Sequence, residues 1–256
     1  MTLLDGEIYV LRGKGERDQI EVYDVIKYRL QCCLTVPDTL IFTDMTSCEH
    51  HRCVYVGDYK NQCVHRVDVV GAVTRWTAND VPVGLSVNAV HNVLVACGDD
   101  IPMIKEFSSH GQLIREITLP DDVIHPLHAI QTRTGQFIVS HGSSVCNDPV
   151  HRVCMISADG RHIDHAQGQR GSDTGQYHTP RHLTVDDNGC VFVVDIYNGR
   201  VTLLSPTLEC VRQVVSRDRP RVQFWRLCLD TKRRLLYVVE NDERQLATGV
   251  VEVFSV

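Results

Sequence analysis

The chain has 256 residues, 43% of them hydrophobic and 23% charged, which is enough for one large domain or two small ones with a buried core. No apolar run approaches the length of about 18 residues that a membrane-spanning helix requires, so a membrane is excluded as a partner. The net charge of −6 argues against a surface built throughout to hold polyanions, and DNA is therefore not expected to bind.

The N-terminal segment predicts no secretory signal, because no basic residue precedes its short apolar run and Asp5 interrupts that run. The chain is therefore expected in the cytoplasm. Its 11 cysteines are an odd number, and without an export signal most of them are expected to be reduced thiols.

Short segments rich in β-branched residues alternate with Asn, Asp and Gly turns along the whole chain, which is typical of antiparallel strands. No segment of about ten residues shows helical periodicity, and this argues against βαβ folds. In chain order, the predicted strands of six successive units are residues 6–10, 20–24 and 29–33; 37–41, 54–58 and 64–67; 82–87, 93–96 and 103–107; 126–130, 136–139 and 153–156; 180–186, 190–195 and 197–204; and 226–230, 235–239 and 250–254.

Four prolines mark the phase of successive units, and Pro37, Pro82, Pro126 and Pro180 are separated by 45, 44 and 54 residues. This spacing is typical of one four-stranded propeller blade with its connections. A β-sandwich is the alternative, but it does not require prolines, turns and aspartates to return in phase. The sequence predicts an all-β, six-bladed β-propeller of four-stranded antiparallel blades over residues 1–256, with approximate blades 1–36, 37–80, 81–123, 124–177, 178–220 and 221–256.

The two ends of the chain predict an incomplete closure of the propeller ring. The first unit offers at most residues 1–4 as an innermost strand, and the sixth reaches Val256 without a fourth strand. Closure normally removes exposed sheet edges. Either the chain is therefore a fragment of a longer polypeptide, or the ring closes with a three-stranded blade.

Residues 168–204 carry the most regular unit, in which a Gly-containing linker leads into a strand, an Asn-Gly turn and a second strand that ends at Asp195, with Asn198 three residues later. This segment resembles an NHL repeat, whose pattern is Gly, strand, Asp, two variable residues and Asn. Residues 37–71 are similar to a lesser degree, and the other units match only in pattern. The first blade, with its strand at 20–24, also resembles a kelch repeat.

NHL propellers often sit at the C-terminal end of tripartite-motif ubiquitin ligases, where they choose the protein substrate or, in some members, bind RNA. The resemblance therefore implies a noncatalytic binding scaffold for protein recognition, the substrate-recognition module of such a ligase. An RNA-binding NHL propeller is the alternative. Ubiquitination itself would require ring, B-box and coiled-coil segments that are absent from these residues, and the domain is expected to be a monomer.

Two turns repeat the same pair of polar residues, Asp58 with Asn61 and Asp195 with Asn198. An Asp that ends a strand can accept backbone N–H bonds from the following turn, and Asn tolerates a left-handed backbone. These four residues are therefore expected to hold blade hairpins together.

No recognised catalytic signature occurs in the sequence, so the chain is not expected to be an enzyme and no cofactor is expected. The segment with Cys48, His50 and Cys53 does contain ligand types that zinc prefers. The repeat register instead places this segment at the turn between the first two strands of blade 2, with Cys53 entering the second strand. This structural interpretation is favoured over a metal site.

First strands of propeller blades surround the central channel, so residues at one register position of these strands are expected to converge near its mouth. The positions concerned are Thr39, Gly84, His128, His182 and Arg226. A ring of histidines holds a catalytic metal in some six-bladed enzymes, the amidating lyases among them, and a metal-dependent lyase or lactonase is a second alternative. The fixed charge of Arg226 would oppose a cation, and both histidines are expected instead to hydrogen-bond neighbouring blades.

The channel mouth and the loops at one face are the usual recognition platform of a propeller, because rigid blades present variable connections in a ring. Aromatic rings and guanidinium groups dominate binding hot spots. The predicted binding residues are Tyr59, Lys60, His128, Arg181, His182, Tyr197 and Arg226.

Overall fold

The structure of the protein is a computed structural model that describes residues 1–12, 19–38, 41–98, 101–216, 222–242 and 250–256. Within these ranges the regular elements are 23 β-strands. None of the described residues belongs to a helix long and apolar enough to cross a membrane.

The described strands form six antiparallel sheets, which we call blades 1 to 6 in chain order. Within each blade, strands that are neighbours in sequence are also neighbours in the sheet. The chain divides into two compact units, unit 1 (Met1–Ile117) and unit 2 (Thr118–Val256). The sheets are the blades of a β-propeller, so the predicted all-β, six-bladed fold class is confirmed.

Blades 1 to 3 are formed by β1 (Thr2–Leu4), β2 (Glu7–Arg12), β3 (Gln19–Asp24) and β4 (Leu30–Thr35); β5 (Phe42–Cys48), β6 (Cys53–Asp58), β7 (Cys63–Asp68) and β8 (Val73–Thr77); and β9 (Gly84–Val87), β10 (Val93–Cys97), β11 (Met103–Phe107) and β12 (Leu113–Thr118). Blades 4 to 6 are formed by β13 (Pro126–Gln131), β14 (Phe137–His141), β15 (Arg152–Ile156) and β16 (Ile163–Gln167); β17 (Pro180–Val185), β18 (Val191–Asp195), β19 (Arg200–Leu204) and β20 (Cys210–Ser216); and β21 (Val222–Asp230), β22 (Leu235–Asp242) and β23 (Val250–Ser255). Blade 6 thus has three strands among the described residues.

The second strand is the most completely buried strand of blades 2 to 5. β6, β10, β14 and β18 are buried along their whole length, whereas the outer strands β4 and β12 are mostly exposed. The sequence of β18 is accordingly a continuous apolar run that ends in a single carboxylate, and not an alternation of apolar and polar residues.

Each pair of neighbouring blades within a unit shares its own apolar core. Between blades 2 and 3, Tyr55 and Val64 pack with Leu85, Val93 and Phe107. Similar clusters join blades 1 and 2, blades 4 and 5, and blades 5 and 6. Burying one large apolar side chain contributes about 1.5 to 3 kcal/mol, so these interfaces hold neighbouring blades of a unit together.

The prediction for the first strand of blade 2, residues 37–41, is wrong. Pro37 and Asp38 lie in a turn, the strand begins only at Phe42, and residues 39–40 lie outside the described residues. Asp38 has a φ of 57°, which is a left-handed conformation that strands do not use. Pro37 therefore belongs to the linker before the blade and is not the equivalent of the proline that opens β17.

A substitution at Gly111 tests the packing between blades 2 and 3. Gly111 and Gly6 both have a left-handed backbone, with φ of 83° and 79°, which costs an Ala about 1 to 2 kcal/mol. A Cβ at Gly111 would collide with Trp76, whereas a Cβ at Gly6 would meet no atom within 4 Å. We expect Gly111→Ala to lower the free energy of urea unfolding by about 1 to 3 kcal/mol more than Gly6→Ala. Equal losses would contradict the contact between Trp76 and this turn.

Candidate functional site

The first strands of blades 4, 5 and 6 each contain one extra residue at the same register position. These bulge residues are Leu127, Arg181 and Trp225. A β-bulge bends its strand and redirects side chains, and the guanidinium carbon of Arg181 lies 5.3 Å from the centre of the Trp225 ring. This is a cation–π contact between neighbouring blades, and both side chains are half-buried.

Each bulge is followed by a buried residue. The relative solvent exposure is only 2% for His128, 7% for His182 and 9% for Arg226. The two imidazole rings lie 4.2 Å apart between their centres, and the backbone N–H of Leu227 donates to Nδ1 of His182 at 3.4 Å. His182 thus bonds the backbone of the neighbouring blade, as the sequence suggested. Burial, with His128 and Arg226 close by, holds the pKa of His182 well below its usual value, so this ring is neutral.

Of the other register positions, Gly84 begins β9 and Thr39 lies outside the described residues.

The turn after β18 and the linker before β17 bring two further rings, Tyr197 and His178, to the same end of blade 5 as Arg181. Tyr197 is 42% exposed, and its ring lies 4.9 Å from the ring of His178. The Tyr197 N–H donates to the carbonyl of His178 at 3.1 Å. Because Pro180 pairs with Asp195 at this end of the sheet, these loops lie beside the bulge. We call Tyr197, His178, Arg181 and Trp225 the blade 5–6 face.

The buried carboxylate of Asp195 is hydrogen-bonded to the segments that carry the blade 5–6 face. Oδ2 of Asp195 accepts hydrogen bonds from Asn198 Nδ2 at 2.7 Å and from Arg200 Nε at 3.0 Å. Oδ1 accepts the N–H of His178 at 2.6 Å. Burial raises the pKa of Asp195 to about 6 against the pull of these partners, and the carboxylate is therefore ionised at neutral pH.

Arg200 connects this carboxylate to the linker that precedes β17. Its guanidinium donates to the carbonyl oxygens of Ser172, Asp173 and Gln176, and Asn198 Nδ2 donates to the carbonyl of Gly171 at 2.9 Å. These hydrogen bonds fix the conformation of the linker residues just before His178. The His178 ring is therefore held in place by the backbone of this linker.

Blade 2 repeats the turn in unit 1. Oδ1 of Asp58 accepts the N–H groups of Lys60 and Asn61 at 3.1 and 3.2 Å. Asn61 Nδ2 donates to Oδ2 of Asp58 at 2.8 Å and to the carbonyl of Asp38 at 2.7 Å. Tyr59 and Lys60 are exposed at the tip of this turn. The predicted binding residues are thus divided: Tyr59 and Lys60 belong to unit 1, and the other five to unit 2.

The structure does not gather Cys48, His50 and Cys53 into one site. The two cysteines pair across β5 and β6 and are buried in the apolar core between blades 2 and 3. His50 is exposed in the turn and stacks on His91, with ring centres 4.2 Å apart. The three side chains are not among the groups of described residues whose ligand atoms converge.

Sequence reasoning missed Trp225 and His178, although it selected their neighbours. A bulge changes the direction in which the side chains of a strand point. No local sequence pattern marks the bulges in these strands. The resemblance of the linker to an NHL repeat did place His178 just before β17. The contact between the rings of His178 and Tyr197 follows only from the register of β17 and β18.

Comparison with known proteins defines the class as a β-propeller and assigns no family. No family model and no curated protein matches the chain. A protein of unknown function from Bacteroides caccae is 13% identical, with a TM-score of 0.68 over 97% of this chain and 94% of that one. A chain of a nidogen/laminin complex is 15% identical, with a TM-score of 0.69 over 98% and 93%. Virginiamycin B lyase from Staphylococcus aureus is 10% identical, with a TM-score of 0.63 over 97% and 87%.

At these identities the likeness extends to the fold alone, since the neighbours include both a binding protein complex and a lyase.

The buried ion pair of blade 5 can be tested against an exposed one. Arg200 and Asp195 side chains are 11% and 0% exposed, whereas those of Arg52 and Asp5 are 66% and 37% exposed. Arg200→Met leaves a buried carboxylate without its guanidinium, and we expect the free energy of urea unfolding to fall by about 3 to 5 kcal/mol. Arg52→Met should cost less than about 1 kcal/mol. Similar losses in both variants would rule out a structural role for the buried pair.

Blade 4 has His141 at the register position of Asp195, opposite Arg152. Its Nε2 lies 3.4 Å from Sγ of Cys154. Burial and the charge of Arg152 lower the pKa of His141 from 6.5 to about 4. The native state therefore binds fewer protons than the unfolded state between these two values, and stability falls as the pH decreases through this window.

We expect His141 to account for about 3 kcal/mol of the stability lost between pH 7 and pH 4. His141→Gln should flatten the pH profile of urea unfolding by this amount, although His182, whose pKa burial also lowers, keeps some slope. A His165→Gln control removes an exposed ring and should keep the wild-type profile. An unchanged profile in His141→Gln would refute the assignment.

Proposed function

We propose that this chain is a noncatalytic binding scaffold of the NHL type that recognises a protein partner, as the substrate-recognition modules of tripartite-motif ubiquitin ligases do. The observation that carries the proposal is the Arg181 and Trp225 contact at two successive bulges, next to the exposed ring of Tyr197. Trp, Tyr and Arg are the residue types most enriched in protein-binding hot spots.

The support beneath the face favours binding. Arg200 and Asp195 hold the linker before β17, so His178 and Arg181 are positioned before a partner arrives. A surface that is already ordered loses less conformational entropy when it binds. The blade 5–6 face therefore has the rigidity that a recognition surface requires.

The chemistry of the face indicates the kind of partner. A guanidinium held over an indole combines a fixed positive charge with an aromatic face, and the positive charge attracts carboxylates. The neighbouring rings of Tyr197 and His178 offer apolar surface with polar tips. We infer that the partner segment combines acidic and apolar side chains.

RNA recognition has less support from the described residues. The chain carries a net charge of −6, and RNA binding requires a contiguous positive surface. The Arg cluster at residues 217, 219 and 221 lies outside the described residues.

The proposal is tested by capturing partners with the whole chain and with charge-reversed variants. Arg181→Glu should reduce the captured protein more than about tenfold, because a hot-spot contact contributes at least about 2 kcal/mol. Tyr197→Ala should act in the same direction. Arg133→Glu is the matched control, because this arginine is 81% exposed and lies in the turn between β13 and β14, at the opposite end of its blade.

Nuclease treatment of the lysate separates the two classes of partner. Proteins captured by the wild type and by Arg133→Glu, lost with Arg181→Glu and unaffected by nuclease, support the proposal. Equal capture by all variants, or capture that nuclease abolishes, contradicts it.

A further inference from the structure

Blade 2 buries the same carboxylate as blade 5 but lacks the arginine opposite it. Asp58 and Asp195 each end the second strand of their blade, and each faces the first residue of the third strand. In blade 5 that residue is Arg200, which forms the buried ion pair. In blade 2 it is Cys63, which carries no positive charge, and two residues further on the same face lies His65.

Asp58, Cys63 and His65 are almost sealed from solvent, with 0%, 5% and 1% exposure. Nε2 of His65 lies 3.3 Å from Sγ of Cys63 and 3.6 Å from Oδ2 of Asp58. One ligand atom from each residue lies within 4.8 Å of the other two. A carboxylate, a thiol and an imidazole therefore point at one small volume between β6 and β7.

We propose that Asp58, Cys63 and His65 form a binding site for a divalent metal ion of the zinc class. Tetrahedral zinc with bond lengths of about 2.3 Å to sulfur and 2.0 to 2.1 Å to nitrogen and oxygen separates its ligand atoms by about 3.3 to 3.6 Å. The distances from His65 Nε2 to Cys63 Sγ and to Asp58 Oδ2, 3.3 and 3.6 Å, fall in this range.

The hydrogen bonds around the Asp58 carboxylate are those expected of a metal ligand whose orientation is fixed by its neighbours. Asn61 Nδ2 donates to Oδ2 of Asp58, and two backbone N–H groups occupy Oδ1. Metal-binding carboxylates are oriented by such bonds, and their loss weakens metal affinity about 10- to 100-fold. The turn that holds the blade hairpin thus also aims the carboxylate.

The protonation of Cys63 and His65 determines which protons leave when a cation binds. Burial and the nearby Asp58 raise the pKa of the Cys63 thiol to about 11, and burial lowers the pKa of His65. Without an ion the thiol is protonated and the imidazole neutral, so a reactive thiolate is not favoured. Binding of a divalent ion would displace the Cys63 proton to solvent and leave a neutral imidazole, which are the ligand forms that zinc requires.

Blade 4 provides a natural contrast within the same fold. His141 and Cys154 make a contact of 3.4 Å that resembles the one between Cys63 and His65. There the histidine itself occupies the position of the carboxylate, and Arg152 lies opposite it. A fixed positive charge directly opposite the histidine disfavours a cation, so the same two residue types are not expected to bind metal in blade 4.

Cobalt(II) tests the site, because a thiolate ligand gives it a charge-transfer absorption in the near ultraviolet. The whole chain is used with the exposed Cys32, Cys33 and Cys146 replaced by Ser, after treatment with a chelator. We expect one equivalent of cobalt to produce the absorption and one equivalent of zinc to abolish it. Cys154→Ser should bind like this parent chain.

Cys63→Ser should lose the absorption, and Asp58→Asn and His65→Gln should weaken cobalt binding at least about tenfold. Zinc should also raise the melting temperature of the parent chain and of Cys154→Ser. If Cys63→Ser does not fold, the other two variants and the melting temperature decide. No thiolate absorption in the parent chain, or an absorption that persists in Cys63→Ser, would overturn the proposal. The site lies in unit 1, so its failure would leave the proposed recognition by blades 5 and 6 untouched.

Discussion

The arrangement of the blade 5–6 face depends on one constraint, a carboxylate buried at the end of the second strand of blade 5. A charge removed from water costs several kcal/mol unless it is paired and hydrogen-bonded. In blade 5 the compensation comes from Arg200 and Asn198, and both also bind carbonyl groups of the linker before β17. The bonds that stabilise the charge of Asp195 therefore also fix the loop that carries His178.

Other blades place different residues at this position. Blade 2 keeps the aspartate but places Cys63 and His65 beside it, and blade 4 replaces the aspartate with His141 opposite Arg152. The backbone register is the same in each case, so the chemistry of the position varies while the hairpin is kept. A repeat architecture allows this because each blade packs through its own apolar faces.

In the first strands of blades 5 and 6, neighbouring residues that the sequence analysis grouped into one binding surface differ in burial. In blades 5 and 6 the bulge residues Arg181 and Trp225 are half-buried, while the residues that follow them, His182 and Arg226, are buried. In blade 4 the bulge residue Leu127 is itself buried. A shift of one residue along a strand reverses the side to which a side chain points. In blades 5 and 6 the bulge thus decides which of the two neighbouring residues is half-buried and which is buried.

The sequence by itself determined three strands in most blades, most turns and the number of blades, because β-branched runs and Asp, Asn and Gly turns act through local conformational preferences. Local preference did not distinguish Pro37, which lies in a linker, from the proline that opens β17. Only the tertiary structure decided that His182 is buried, that Trp225 stacks on Arg181, and that Cys63 lies with His65 and Asp58. Those facts depend on bulges and on contacts between strands, which residues distant in sequence create together.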